Sequence, residues 1–119
     1  MPAGEAAIRL LDAAFDVARR HRSFDSYGSE AAAVRALRLR CSGSSLENCQ
    51  GALLQAVLLF EAAAATAARH KDRLSGAWQT PGAEEAAGLA CSEIGLACPD
   101  FSPATCRSAL SWIFYWHYL

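Results

Sequence analysis

Apolar and polar positions follow a helical period along most of the chain, and turn signals divide it into five segments. A first helix is predicted over about residues 5–21, with an apolar stripe formed by Ile8, Leu11, Phe15 and Ala18 and widened by Leu10, Ala14 and Val17. After the turn sequence SFDSYGS, Ser29 is predicted to cap a second helix over about residues 30–41, because a serine oxygen accepts hydrogen bonds from the free amides of a first turn.

The third segment predicts the longest helix, over about residues 45–75. Gly43 ends the preceding helix, and Ser44 with Glu47 has the S-x-x-E spacing of a capping box. Apolar residues then recur at positions 53, 57, 60, 64 and 67, and Gly76 is the predicted C-cap. A helix of this length extends for roughly 45 Å, so we expect it to be the central element of the fold.

Two shorter helices complete the pattern. Thr80 before Pro81, and Ser102 before Pro103, each combine an N-cap residue with a proline at the first helical position. They predict helices over about residues 81–98 and 103–119, the latter with inward positions Cys106, Leu110 and Ile113. The predicted fold class is all-α, a single small helical bundle of about five helices with one long central helix.

Composition supports helices over strands. The chain has 26 Ala but only nine Val, Ile and Thr, and alanine favours helices whereas strands favour β-branched residues. A length of 119 residues with 53% apolar content fits one helical domain over residues 1–119. The helix starts fit no repeat period, but the small residues of 52–68 leave open that this is the N-terminal part of a longer helical-repeat protein.

Charge excludes one class of partner. The net charge is −1 at pH 7, whereas polyanion binding needs a strongly basic surface, so we expect no nucleic-acid binding. Arginines are concentrated in the first 40 residues, and Arg35, Arg38 and Arg40 form a possible basic contact face. The alternative is a solvated face whose charges pair with nearby acids, namely Asp12, Asp16, Asp25 and Glu30.

No pattern predicts a catalytic or metal site. The five cysteines are 8, 42, 7 and 8 positions apart, whereas zinc sites use closely spaced cysteine pairs. They are predicted to be reduced core residues, with a Cys41–Cys49 disulfide as the alternative in an oxidising compartment. None of the three histidines, His21, His70 and His117, has a carboxylate or Cys at a helical spacing that would orient a general base, apart from His70, which lies beside Asp72 and Arg73. We therefore expect no enzyme activity, no metal and no cofactor.

The first residues lack the pattern of a secretory signal, so we expect an intracellular, cytoplasmic protein. The longest apolar stretch, residues 51–68, carries Gln55 and Glu61 and has only marginal length for a bilayer span. This argues against a membrane protein.

The last nine residues, SWIFYWHYL, hold five aromatic side chains and no Asp, Glu, Lys or Arg. On a helix these rings would cover almost the whole circumference, and a helix that is apolar all round must be buried all round. Trp and Tyr are also common interface hot spots. The predicted partner-binding residues are Trp112, Phe114, Tyr115, Trp116 and Tyr118. The alternative is that the chain's own helices bury them.

These features favour a non-enzymatic protein–protein interaction module, of adaptor or assembly-subunit type. It would bury its C-terminal helix against another protein or a second copy. One alternative is a small-ligand or lipid-binding helical bundle, with a cavity between the Ala-rich part of the long helix and the C-terminal aromatic residues. Another is the N-terminal fragment of a helical-repeat scaffold.

Overall fold

The computed structural model describes residues 5–24, 28–74 and 81–118, with the side chains of residues 7–21, 28–70, 84–113 and 115. Within these ranges the chain forms five α-helices and no strand: α1 Glu5–Phe24, α2 Glu30–Arg40, α3 Leu46–Leu74, α4 Pro81–Ala97 and α5 Pro103–Tyr118. The all-α fold class and the long third helix, which has 29 residues, are confirmed. Every predicted helix boundary agrees to within three residues.

Serine side chains cap two helices as predicted. Ser29 Oγ accepts a hydrogen bond from the Ala32 amide at 3.2 Å at the start of α2. Ser102 Oγ accepts one from the Thr105 amide at 3.2 Å at the start of α5. Two further predicted caps lie outside the described residues, namely Gly76 and Thr80.

The predicted capping box at the start of α3 is wrong. Ser45, not Ser44, is the N-cap, since its Oγ accepts from the Asn48 amide at 3.1 Å. The Ser44 amide donates to the Cys41 carbonyl at 2.9 Å, so Ser44 belongs to the preceding turn. The helix therefore begins one residue later than the S-x-x-E spacing of Ser44 and Glu47 requires.

The buried face of α1 also differs from the predicted stripe. Ile8 is half-exposed, and Leu11 and Phe15 are only partly buried. The buried residues of α1, which packs against α2, are Leu10, Ala13, Ala14, Val17 and Ala18. The distance between two packed helices depends on the side chains at their contact. The alanines allow a close approach, so this face turns inward and the bulkier one does not.

Backbone contacts divide the chain into two compact units, Met1–Val57 and Leu58–Leu119, called here the N-terminal and C-terminal units. The N-terminal unit contains α1, α2 and the first part of α3. The C-terminal unit contains the rest of α3 with α4 and α5, which pack against each other. The helix α3 contains residues of both units. The single-domain organisation stays a prediction.

The two units have cores of different composition. Small residues such as Ala33, Cys49 and Ala56 are fully buried in the N-terminal unit. The C-terminal unit also fully buries alanines, such as Ala63 and Ala87, but in addition it buries two aromatic rings, Phe60 and Phe101. The predicted inward residues of the last helix are all buried there, which confirms Cys106, Leu110 and Ile113.

Within the described residues, one stretch of α3 is long and apolar enough to cross a bilayer, judged by length and composition alone. It covers Leu46–His70, with a mean hydropathy of 1.6, and 44% of its most apolar window is buried inside the protein. A core helix has the same composition, because it buries apolar residues along its length.

Candidate binding groove

The N-terminal unit contains an open groove of about 940 Å³ between α1, α2 and the first part of α3. Its buried floor is formed by Ala18, Val34 and Leu53. Its sides are formed by further apolar residues, namely Ala31, Leu39, Leu46, Leu54 and Val57. Polar residues complete its rim, namely His21, Glu30, Arg35, Arg38, Ser42 and Gln50. We call this feature the leucine groove.

Turns at both ends of α2 set the position of this helix. Gly28 has a φ of 74°, in the left-handed region that glycine adopts most easily, and it leads the chain into the Ser29 cap. At the other end the Cys41 amide donates to the Leu37 carbonyl at 2.9 Å. Only residues 41–45 then connect α2 to α3. The short connection keeps the two helices that form the sides of the groove close together.

Three leucines in the groove are exposed to solvent: Leu39 by 80%, Leu46 by 46% and Leu54 by 60%. A single exposed leucine is ordinary, but a contiguous apolar patch is typical of an interaction site. On α3, positions 46, 50, 53, 54 and 57 share one face because each residue turns the helix by about 100°. On this face the exposed Leu46 and Leu54 flank the buried Leu53, so the apolar surface of α3 continues from the core into the groove.

Small side chains account for the open volume. Ala18 of α1 and Ala31 of α2 line the groove without filling it. Protein interiors contain few voids larger than a water molecule, so an opening of this size is not a packing defect of the core. It is a surface feature that side chains of another molecule can enter.

The predicted basic face divides into two parts. Arg40 does not line the groove, and its Nη1 donates to Asp16 Oδ2 at 2.7 Å. Arg35 and Arg38 are exposed at the rim, and neither forms an ion pair within the described part of the chain. Among the described lining residues Glu30 is the only acid. Pairing with nearby acids is thus confirmed for Arg40, whereas Arg35 and Arg38 leave two positive charges at the groove.

Asp16 also interacts with two arginines of its own helix, Arg19 and Arg20. Besides Arg40 it accepts a hydrogen bond from Arg19 Nη2 at 2.6 Å, and its Oδ2 lies 3.3 Å from Arg20 Nε. Burial by itself would raise the pKa of Asp16, but hydrogen bonds from Arg19 and Arg40 and the charge of Arg20 together hold that pKa below its usual value. The ionised carboxylate ties α1 to the end of α2, which forms one side of the groove.

The predicted partner-binding residues of the C-terminal helix are described only in part. The Trp112 ring packs edge-on against Phe60, with centroids 5.2 Å apart and planes at 65°. Because Phe60 is fully buried, Trp112 contributes to the packing of the C-terminal unit. Tyr115 is 63% exposed. The other three side chains lie outside the described part, namely Phe114, Trp116 and Tyr118, so this surface stays a prediction.

All five cysteines are free thiols, and the alternative Cys41–Cys49 disulfide is not formed. Cys49 and Cys106 are buried, and the other three are partly buried. Burial raises the pKa of four of these thiols: Cys49, Cys91, Cys98 and Cys106. The thiolate is the nucleophilic form, so a raised pKa makes these groups less reactive at neutral pH.

One polar cluster in the C-terminal unit is not found by sequence reasoning. Glu93 of α4 accepts a hydrogen bond from Arg69 Nη2 at 2.8 Å, and its other oxygen lies 3.0 Å from His70 Nε2. Hydrogen bonds from Arg69 and then His70 lower the pKa of Glu93. The partners are more than 20 positions apart, so no helical spacing reveals them. The cluster links α3 to α4.

No group of three or more His, Cys, Asp or Glu side chains is placed to hold a metal ion in the described ranges. Comparison with protein-family models, with curated proteins and with solved structures gives no match to this chain. Its function is therefore inferred from its own geometry.

Proposed function

We propose that the protein is a non-enzymatic interaction module that binds an amphipathic helix of a partner in the leucine groove. The observation that carries the proposal is the gathering of Leu39, Leu46 and Leu54 along one groove. Burying apolar surface drives association, at roughly 25 cal/mol for each Å² removed from water. Recognition of a helix in a groove typically uses apolar anchors at positions i, i+3 or i+4, and i+7.

The groove has a suitable length for this mode of binding. Its α3 side runs from Leu46 to Val57, which corresponds to a rise of roughly 16 Å along the helix axis. Anchors at i and i+7 of a partner helix are roughly 10.5 Å apart along their own axis. Two or three anchor side chains can therefore lie in the groove together.

The charges at the rim favour a particular kind of helix. Arg35 and Arg38 are positive and unpaired within the described part of the chain, against the single acid Glu30. An acidic residue beside the apolar stripe of the partner would pair with one of these arginines. Such complementarity raises the association rate and the specificity more than the affinity.

The C-terminal aromatic helix is a second proposed contact surface. Tyr115 is exposed, while Trp112 packs against Phe60 in the C-terminal unit. Exposed tyrosine is enriched at interface hot spots because one end of its ring is apolar and the other is polar. We propose that this helix adds to binding and that the leucine groove supplies the main anchor.

A second candidate function is the binding of a small anionic amphiphile such as a fatty acid. The groove volume of about 940 Å³ falls within the usual range of ligand pockets, and Arg35 or Arg38 would pair with a carboxylate. Small-molecule sites usually enclose most of the ligand surface, however. The open sides of this groove therefore favour a helix.

Fluorescence anisotropy with a labelled synthetic helix tests the proposal. The probe carries leucines at i, i+4 and i+7 with flanking glutamates. We expect saturable binding by the wild-type chain and at least about tenfold weaker binding by a Leu39→Gln, Leu54→Gln double variant. The matched control is Ile8→Gln, which replaces a half-exposed apolar residue of α1 outside the groove and should bind as the wild type does.

Four further outcomes decide between the surfaces and ligands. A probe with lysines in place of the glutamates should bind more weakly, because it meets Arg35 and Arg38. Equal binding by the double variant and the control would show that the groove is not the site. Loss of binding only in a Tyr115→Ala, Trp116→Ala variant would assign the site to the C-terminal helix. Binding of oleate but of neither helix would support the second candidate.

A further inference from the structure

We infer that the partner of the leucine groove is a second copy of this chain, which inserts the outward face of α4. The inference rests on the proposed function and names the partner of that same groove. The face consists of Glu85, Leu89, Ser92 and Leu96, and we call it the α4 ridge. It lies in the C-terminal unit, so each copy carries both a groove and a ridge.

The α4 ridge has the form of a docking helix. Its four residues follow i, i+4, i+7 and i+11 spacing, so they lie on one side of the helix, and all four are exposed. Leu89 is 50% and Leu96 is 85% exposed, whereas Ile94 on the opposite side is fully buried. The ridge therefore carries two apolar anchors that its own unit does not cover.

The anchor spacings of ridge and groove agree. Leu89 and Leu96 are seven positions apart, a rise of roughly 10.5 Å. In the groove Leu46 and Leu54 are eight positions apart, roughly 12 Å. Two helices that pack side by side interdigitate side chains at such intervals.

Gly88 lies beside the ridge and leaves room there for a close neighbour. Gly88 is exposed in the interior of α4, and a Cβ built there would meet no atom within 4 Å. Packing within the chain therefore does not require glycine, although glycine is less stable than alanine in a helix interior. Gly51 and Gly95 have the same open surroundings in their helices, so Gly88 permits the close approach of another helix backbone without indicating one by itself.

The charges of the two surfaces are opposite. The sequence of α4 contains no Lys or Arg, and Glu85 and Asp100 are exposed near the two ends of the ridge. Arg35 and Arg38 at the groove are the matching cations. Glu84 lies 3.6 Å from Arg107 in its own unit, whereas the exposed Glu85 lies on the same side of α4 as Leu89 and Leu96.

Such a contact is heterologous, because the ridge of one copy occupies the groove of the next. Each added copy leaves a new groove and a new ridge free, so association continues into open chains or closes into a ring. An isologous dimer, in which the same surface meets itself, would stop at two copies. The two arrangements therefore differ in the species they form.

Sedimentation velocity of the full chain at micromolar concentrations tests the inference with three variants. We expect concentration-dependent species larger than a dimer for the wild type. Leu54→Glu, which blocks the groove, and Leu96→Arg, which blocks the ridge, should each be monomeric. A mixture of the two should form a dimer and nothing larger, because it has one working groove and one working ridge. Leu58→Glu, an exposed leucine of α3 outside the groove, should associate like the wild type.

Exchanging the charges of the groove and the ridge is a second test of the same contact. Arg38→Glu should weaken association at least about tenfold, and combining it with Glu85→Arg in the same chain should restore it. Helical circular dichroism of every variant should match the wild type, because all the replaced side chains are exposed.

A monomeric wild type, or a mixture of blocked variants that fails to dimerise, would overturn the inference. A monomeric wild type that binds vesicles of phosphatidylcholine and phosphatidylserine would overturn the inference in favour of a membrane surface, if Leu54→Glu abolishes this vesicle binding. Retained binding of the synthetic glutamate-flanked helix would then leave the proposed function intact, whereas loss of that binding as well would overturn both.

Discussion

The two units leave apolar surface exposed in opposite shapes. In the N-terminal unit Leu39 and Leu54 line a concave groove with Arg35 and Arg38 at its rim. In the C-terminal unit Leu96 projects from a convex helix face beside acidic residues. We propose that the concave surface receives a helix and that the convex surface supplies one.

The difference follows from the residues that fill each core. The described core of the N-terminal unit consists of aliphatic side chains and Cys49, without a buried aromatic ring. In the C-terminal unit Phe60 and Trp112 are large enough to fill the space between α3 and α5. Within the described residues, buried aromatic rings are thus found in the C-terminal unit and the open groove in the N-terminal unit.

The largest effect is expected for Phe60→Ala, which removes a fully buried ring from the C-terminal unit. The loss of transfer energy and the cavity left behind should lower the free energy of unfolding by about 3–5 kcal/mol. Urea unfolding followed by circular dichroism measures it. Leu54→Ala on the same helix is the control and should change stability by less than about 0.5 kcal/mol. Equal losses in both variants would contradict the contrast between core and groove.

A second prediction separates two residues of the C-terminal helix. Trp112→Ala breaks the edge-on contact with Phe60 and should cost about 2 kcal/mol, less than for a fully buried ring. Tyr115→Ala removes an exposed ring and should cost less than about 1 kcal/mol. The same unfolding measurement compares them. A greater loss for Tyr115→Ala would show that the exposed ring stabilises the unit.

A third prediction concerns the link between α1 and α2. Asp16→Asn removes the negative charge that pairs with three arginines and should cost about 1 kcal/mol at pH 7. Because folding lowers the pKa of Asp16, its stabilisation is complete above the unfolded pKa of about 3.9 and is lost as pH falls through the lower folded pKa. Thermal unfolding of both chains between neutral and acidic pH measures this. A difference that grew on acidification would contradict it.

The smallest change in stability is expected in the groove itself. Leu39→Gln replaces a side chain that is 80% exposed, so unfolding should shift by no more than about 0.5 kcal/mol. Binding of the glutamate-flanked helix should nevertheless weaken. A large loss of stability would mean that Leu39 belongs to the fold and not to a binding surface.

The sequence predicts helices well because period and punctuation act locally. At the start of α5 the structure contains the predicted Ser102 cap, followed by Pro103 as the first helical residue. The predicted inward positions of this helix are buried, namely Cys106, Leu110 and Ile113. The face of α1 is predicted less well, since apolar residues cover more than one side of that helix. There the close approach to α2 selects Ala14 and Val17 over Ile8, and that choice depends on the neighbour.

The groove depends on how three helices come together, which a local pattern does not contain. One signal is present in the sequence: Leu54 is apolar although it lies outside the core stripe of positions 53, 57, 60, 64 and 67. The cluster of Glu93 with Arg69 and His70 gives no such signal, because it requires the register of α4 on α3. Long-range pairings of this kind are fixed by tertiary packing.

The central claim is that the leucine groove receives an amphipathic helix. Chemical-shift mapping on the isotopically labelled full chain, with the glutamate-flanked synthetic helix added, tests it most directly. We predict that the largest shifts fall on Leu39, Leu46, Leu53 and Leu54, and that they are absent in the Leu39→Gln, Leu54→Gln variant. Shifts confined to α5 around Tyr115, or spread evenly over the chain, would contradict the claim.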